Sequence, residues 1–378
     1  MLTLLKNELK PFAELAQSFA AKELSKKTEE HDRYPFGELF TDVVDKARDV
    51  GLLAVTLPEE LGGIGGGMDT LCVILREISR VDASLAGVIF TSAVAQEIML
   101  AAGARKQASR IFSTTSSSGD FLVAFPCYAD PASEDYLPET VRSGRGYALT
   151  GSIELLSLGG LAKRAIVPAR TGRDESFSFF LMDLNQETIS LSGPVFTLGL
   201  HACPCADMVM KGAKAILIGE EGKGRTYFQG VSAPMHVAAA AISSGIMRGS
   251  FNDAMAYARE RFQGGREIVN WSEVGMILAN MKIKVDVAEL LVAQACQAMG
   301  QGPPGRNSPC LSAALHVHDL AGDLTTDGIQ VLGGNGYMKD YGQEKRFRDA
   351  HQVASFLGAS PMKKIRMIRE TAGLGERG

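Results

Sequence analysis

Residues 346–362, RFRDAHQVASFLGASPM, place Arg346, Arg348 and Asp349 ahead of a turn of small residues, Leu357-Gly358-Ala359-Ser360. Small side chains let a ligand approach the backbone closely, so the stretch has the composition of a site edge. Beside that turn, where proton transfer would need a carboxylate or an imidazole, stands Leu357, which cannot titrate. Imidazoles titrate near neutrality, but His316 and His318 stand two apart and face different sides of a helix, which makes no metal pair. His201, His236 and His351 stand singly, and a structural, partly buried role is expected for each. Cys203-Pro204-Cys205 is the one close cysteine pair. A zinc site needs four ligands, and no matching spacing occurs elsewhere.

The elements that position these residues fall within 378 residues, enough for two or three units that bury cores without disulfides or metals. A hydrophobic share of 46% and a charged share of 22% exclude a disordered chain. The net charge of -4 and the lack of a basic run argue against nucleic acid as a partner. Lys6, Glu8 and Lys10 interrupt any signal-peptide core, and no apolar run approaches the length of a membrane span. Six scattered cysteines suggest no disulfide framework, so the expected compartment is a reducing cytoplasm.

Three textures follow one another. In residues 1–117, Phe12, Leu15, Ala16 and Phe19 repeat at helical spacing, as do Phe40, Val43, Val44 and Ala47. The glycine-rich LGGIGGGMD at 61–69 follows no strand and reads as a wide turn. Residues 118–225 change to short alternating stretches, GYALTGS, RAIVPART and SFSFFLMD, with Phe177, Phe179 and Leu181 expected on the buried face of a half-buried strand. In residues 226–378 the helical period returns: Leu278, Met281, Val285, Ala288 and Val292 form a bundle seam. Ala238–Ala241, Gly245 and Gly249 permit close helix packing, which also favours extensive subunit contacts. The expected architecture is α+β and multidomain: an N-terminal helical domain, a middle β-barrel or sandwich domain and a C-terminal four-helix bundle.

ARERFQGGREI at 258–268, IQVLGGNGYMKDY at 329–341 and FRDAH at 347–351 occur in an order and spacing that resemble the acyl-CoA dehydrogenases. GYALTGS, TLGLHACP and ILIGEEGKG in the middle of the chain resemble that family's strands and closing loop, so the likeness covers nearly the whole sequence. The family binds FAD, whose pyrophosphate needs a cation and free backbone N–H groups, supplied there by a neighbouring subunit. The resemblance assigns these roles to Arg261 and to Gln330, Gly333, Gly334 and Gly336. Taken alone, Arg261 could instead pair with a carboxylate at its helix end, and GGNG could be only a helix connection. Two positions depart from the pattern: Gly264 replaces the usual Phe, and Ser272 the usual Gln.

The flavin-ring half departs further. Neither the Thr-Glu-Pro nor the Trp-Ile-Thr stretch of the family is present; the corresponding loops read AFPCYADPASED and IELLSLGG. Ser157 could still offer the ring a hydroxyl, but Leu155 replaces the tryptophan. The family's base Glu aligns with Leu357, its alternative position with Met235, and the Arg after that with His236, which could serve as another base or as a contact to a CoA phosphate. Ala359 and Pro361 replace further flavin contacts, and Glu154 and Asp130 fall in the altered loops.

The resemblance therefore implies a subunit of acyl-CoA catabolism, on fatty acids, steroid side chains or related acids. It would lack the base and donate adenine-side FAD contacts to a catalytic partner subunit in a heterodimer or α2β2 heterotetramer. The alternatives are a homo-oligomeric FAD enzyme of atypical chemistry, such as reduction, desulfination or oxygenation, and a flavin-free protein that binds an acyl-CoA thioester.

Overall fold

Helix α1 (Lys10–Phe19) buries Ala13, Ala16 and Phe19 along one stripe, with Phe12 and Leu15 half-covered beside them. The structure, a computed structural model, describes residues 7–33, 41–113, 117–132, 136–144, 146–172, 176–299 and 308–374. Phe40 and residues 133–135 of the loop at 124–135 lie outside them. After α2 (Thr28–His31), helix α3 (Thr41–Asp49) buries Val43, Val44 and Ala47. The glycine-rich segment that follows is a wide turn in which the amides of Ile64, Gly65 and Gly66 return to the carbonyls of Ala54, Leu57 and Val55. Gly63 is required there, since a Cβ would stand 2.0 Å from the Leu57 oxygen. Helices α4 (Met68–Ser79), α5 (Ala83–Ala101), α6 (Arg105–Phe112) and α7 (Ser118–Phe121) complete the N-terminal part.

The middle of the chain forms a sheet of β1 (Val123–Ala124), β2 (Glu139–Ser143), β3 (Gly146–Ser157), β4 (Arg164–Arg170), β5 (Phe177–Asp183), β6 (Ile189–Leu191) and β7 (Cys205–Ile218). Its order is β1-β4-β2-β3-β7-β5, with β6 added on β7. Because β4 also pairs with β5, strands β4, β2, β3, β7 and β5 close into a barrel. The half-buried pattern expected of β5 does not hold: Ser178, Phe180 and Met182 are buried as well as Phe177, Phe179 and Leu181. The cause is tertiary. One side of β5 faces the barrel core, and the next helix covers the other, with Gly224 so close that a Cβ would meet the Phe177 ring at 2.5 Å.

That helix, α8 (Gly224–Glu260), contains Pro234 and has its Ala238–Ala241 run fully buried. A Cβ at Gly245 would lie 2.2 Å from the Arg76 carbonyl oxygen of α4. The hairpin β8 (Phe262–Gln263) and β9 (Arg266–Glu267) links α8 to α9 (Ser272–Met299), which buries the predicted seam of Leu278, Met281, Val285, Ala288 and Val292. Helices α8, α9, α10 (Ser308–Leu332) and α11 (Gln343–Val353) pack as a four-helix bundle, and α12 (Ser360–Thr371) lies against α10. Contrary to the sequence expectation, α5 and part of α8 are apolar and long enough to span a membrane. Both are 89% buried within the chain over those windows, as core helices are.

The charged stretch at 346–349 joins the three parts of the chain. Arg348 donates to both Asp32 carboxylate oxygens through its two terminal nitrogens and to Glu344 at 2.6 Å through Nε. His201 places Nδ1 2.9 Å from the Asp32 carbonyl oxygen and Nε2 2.9 Å from that of Thr197. Asp349 accepts from the Leu200 amide at 2.7 Å and from Lys345 at 2.6 Å. Arg346 binds Asp253 and the Arg80 carbonyl. These charges are structural.

Burial opposes ionisation of Asp32, but the His201 and Arg348 hydrogen bonds outweigh it and hold the carboxyl well below its ordinary range. Burial likewise opposes protonation of His201, and Asp32 overcomes it, raising the imidazole above 6.5. The Asp32 contribution to stability is present above its unfolded value and is lost as pH falls through the folded one. The His201 contribution is present below about pH 6.5 and is lost as pH rises through the raised value. Asp32→Asn should cost about 3 kcal/mol near neutrality and flatten both limbs of the stability profile, as read from urea midpoints measured across pH.

Candidate functional site

Leu357 carries the chain from α11 toward α12 with φ +58°, and Gly358 follows at +107°. The Leu357 amide donates to the Cys127 carbonyl at 2.6 Å, so the C-terminal turn lies directly on the loop after β1. A Cβ at Gly358 would stand 3.2 Å from that of Asp130. Phe356 stacks on Phe90 with centroids 4.6 Å apart and planes 4° from parallel, and Tyr128 packs at 5.2 Å. Ser157 and Met235 are 0% exposed and Leu357 1%. Leu155, Leu158, Leu200 and Leu357 all hold positive φ, a left-handed backbone that L side chains rarely adopt.

Ser157 does not meet the other predicted site residues. Its backbone pairs both ways with Phe125, and its hydroxyl lies 3.6 Å from the Cys205 sulfur. Glu154 is exposed on the outer side of β3.

A polar cluster adjoins the closed turn. Arg366 of α12 donates to Asp130 at 2.8 Å, and another of its nitrogens lies 3.3 Å from His236 Nε2. Lys363, one turn earlier, donates to the carbonyls of Phe356 at 2.6 Å and Ala354 at 3.1 Å. His318 Nδ1 pairs with Ser243 at 2.8 Å. Burial, aided by the charges of Lys363 and Arg366, keeps the His236 imidazole neutral far below its ordinary value. Burial also carries His318 down to about 3 and Lys363 down to about 8. A buried, neutral imidazole that meets Arg366 through Nε2 is not a free base. Asp130, Lys363 and Arg366 were not identified as a cluster from sequence. Their one local signal is the spacing of three that puts Lys363 and Arg366 on the same side of α12.

The second feature is open. Arg261 at the C-terminus of α8, Gln330 near the end of α10, and Gly333 and Gly334 line one cleft of about 710 Å³, with Tyr257, Gln263, Trp271 and Asn335. Among the described residues no carboxylate pairs with the exposed Arg261 guanidinium. Gly333 turns the chain at φ +57°. Gly336 is buried behind the wall, where a Cβ would stand 2.4 Å from the Ile329 oxygen. The cleft therefore holds a free cation beside a glycine turn, the two elements an anionic diphosphate requires.

Two family models match the chain on either side of its barrel: the acyl-CoA dehydrogenase N-terminal domain over residues 6–117 and the acyl-CoA dehydrogenase C-terminal domain over residues 222–372. The chain belongs to the acyl-CoA dehydrogenase family. Caffeyl-CoA reductase-Etf complex subunit CarC of Acetobacterium woodii is 26% identical, over 94% of this chain and 96% of its own length. Cyclohexane-1-carbonyl-CoA dehydrogenase of Geobacter metallireducens is 29% identical, over 88% and 90%. The structure of butyryl-CoA dehydrogenase from Megasphaera elsdenii superposes with a TM-score of 0.87 at 22% identity, covering 97% of this chain and 99% of that one. The acyl-CoA dehydrogenase fold, helical, β and helical in turn, is that of this chain.

Against the flavin of this oxidoreductase family, the two features divide. The cleft has the donor set for the pyrophosphate end. The turn at Leu357 is instead packed by Phe90, Phe356 and Tyr128 and bridged to the loop after β1 by the Leu357–Cys127 hydrogen bond. Phe356→Ala should cost about 3–5 kcal/mol, read as a lower urea midpoint. The His236 ring resonances should not titrate between about pH 5 and pH 8, as proton NMR can follow.

Proposed function

We propose that this chain is a non-catalytic subunit of a heteromeric acyl-CoA dehydrogenase. It closes its own acyl and flavin-ring region and lends the Arg261–Gln330 cleft to FAD held by a catalytic partner subunit. The observation that carries this reading is the 2.6 Å hydrogen bond from the Leu357 amide to the Cys127 carbonyl. It joins the turn that should lie above a substrate to the loop that should lie beside a flavin.

In such an assembly bound FAD would supply the hydride acceptor for oxidation of an acyl thioester. The residues of this chain supply the opposite of a proton-transfer site. Leu357 and Met235 cannot accept a proton under any shift, His236 meets Arg366, and Asp130 is ion-paired. What the chain retains is the capacity to orient a diphosphate: Arg261 offers a planar guanidinium for two oxygens, and the turn after α10 offers backbone amides.

An independent enzyme of atypical chemistry, or a flavin-free carrier of acyl-CoA, would need an accessible space beside Ser157 and Leu357, so the closed turn weighs against both. The acyl substrate belongs to the partner's cavity in this reading. That a relative is a subunit of a larger complex accords with an assembly of unlike chains.

The chain expressed alone should carry no flavin absorbance and show no bleaching with acyl-CoA thioesters. Co-expressed with a homologue that retains the base, it should yield a flavin-containing complex, and Arg261→Ala in this chain should lower the flavin content. Strong FAD binding with substrate bleaching by the chain alone would sink the proposal, as would unchanged flavin in the Arg261→Ala complex. Leu357→Glu should leave the isolated chain without dehydrogenase activity.

A further inference from the structure

Along the sequence, the only cysteines close together are Cys203 and Cys205. Folding makes a different pair. Cys72 on α4 and Cys296 in the last turn of α9 line one small pocket of about 80 Å³, walled by Leu9, Val73, Val292 and Ala293. The Cys72 thiol is in hydrogen-bond contact with that of Cys296. Cys72 belongs to the N-terminal helical part and Cys296 to the bundle, so the contact spans two parts of the chain. Cys310, in the first turn of α10, has only a longer-range electrostatic interaction with Cys296 among the described contacts.

The two thiols differ in access. Cys72 is 3% exposed, and its contact with Cys296 together with burial raises the thiol well above its ordinary value, so it stays protonated. Cys296 is half-buried. The pocket shares Arg76, Glu289, Ala293 and Gln297 with a wider cleft of about 1070 Å³ between α4, α8 and α9. A small polar reagent entering by that cleft reaches Cys296 before Cys72. An accessible thiol backed by a buried one suits a first thiol that takes up a reagent and a second that resolves the adduct. Packing accounts for either cysteine singly, since a buried thiol behaves as a small apolar group. Their meeting across two helices, where the pocket adjoins an open cleft, adds a chemistry that packing does not use.

We infer that Cys72 and Cys296 form a reversible disulfide by exchange with a low-molecular-weight disulfide that enters through this cleft. The Cys296 thiolate attacks one sulfur of the small disulfide. The small S–S bond breaks, a mixed disulfide forms on Cys296, and the first small thiol leaves carrying the Cys296 proton. Cys72 then gives up its proton and attacks the Cys296 sulfur; the mixed disulfide breaks, and the second small thiol leaves with that proton. Two protein thiols are oxidised, and one small disulfide is reduced to two thiols. The product staples α4 to α9 across the pocket. The pair stands at the opposite end of α9, a helix of 28 residues and about 42 Å, from the Arg261 cleft, and is independent of the flavin reading.

The full-length chain, reduced and freed of reductant, is exposed to oxidised glutathione and followed by intact mass under non-reducing conditions. The parent should lose two hydrogens without retaining glutathione, a non-reducing digest should join the Cys72 and Cys296 peptides, and dithiothreitol should reverse both. Cys72→Ser should instead hold one glutathione on Cys296, Cys296→Ser should form neither product, and Cys310→Ser should behave as the parent. The oxidised parent should melt about 4 °C above the reduced one, the scale of one crosslink in a chain of this size, and Cys72→Ser should show no such rise. Circular dichroism of each reduced variant verifies that the fold is intact. A bond from Cys296 to Cys310, or a glutathione adduct that accumulates on the parent as it does on Cys72→Ser, removes Cys72 from the resolving role and overturns the proposal. So does a native chain that stays reduced under conditions in which the urea-unfolded chain oxidises.

Discussion

Asp32 is the point on which the arrangement of this chain turns. Its carboxylate meets Arg348 of α11 and His201 of the β part, while the residue itself belongs to the N-terminal helical part. Three regions with separate local patterns thus share one buried charge. Such a charge without partners is unfavourable by several kcal/mol, so displacement of any one region is opposed by the other two. Because α11 is fixed in this way, the chain that leaves its end is delivered to one place, against the loop after β1. The bond between Leu357 and Cys127 is a consequence of that delivery.

The closed region is polar at one edge and apolar at its centre. Phe90, Phe356 and Tyr128 fill the middle, and Arg366, Asp130, His236 and Lys363 lie at the margin. Two buried cations against one carboxylate would be unfavourable if both were compelled to stay charged. Lys363 relieves this by donating to two backbone carbonyls and by ionising at a lowered value. His236 relieves it by remaining neutral. Ionic contacts and aromatic stacking together pack this region, while the cleft at the far end of α8 stays open.

Much of the fold is legible from local pattern. The seam of α9, the stripes of α1 and α3, and the alternation from helical to strand texture each depend on side chains a few residues apart. The co-location of Arg261 with Gln330 and Gly333 was legible because each belongs to a motif of recognisable order. The buried second face of β5 was not, since what covers it is Gly224 and the helix that begins there. Nor was the ion pair of Asp130 with Arg366, whose partners stand 236 positions apart. Sequence shows which side chains are gone from a site. What has filled the space depends on residues brought in from elsewhere in the chain.

The four leucines with left-handed backbones bear on the direction in which such a chain can change. Glycine would relieve the backbone at 155, 158, 200 or 357 at no steric expense, but at the buried 158, 200 and 357 it would also empty packed volume, and cavities of that size are the larger penalty. Each substitution toward an open site is thus disfavoured while the others remain. A carboxylate introduced at 357 would be buried on a left-handed backbone, so that single change would be opposed by desolvation and by the turn geometry together.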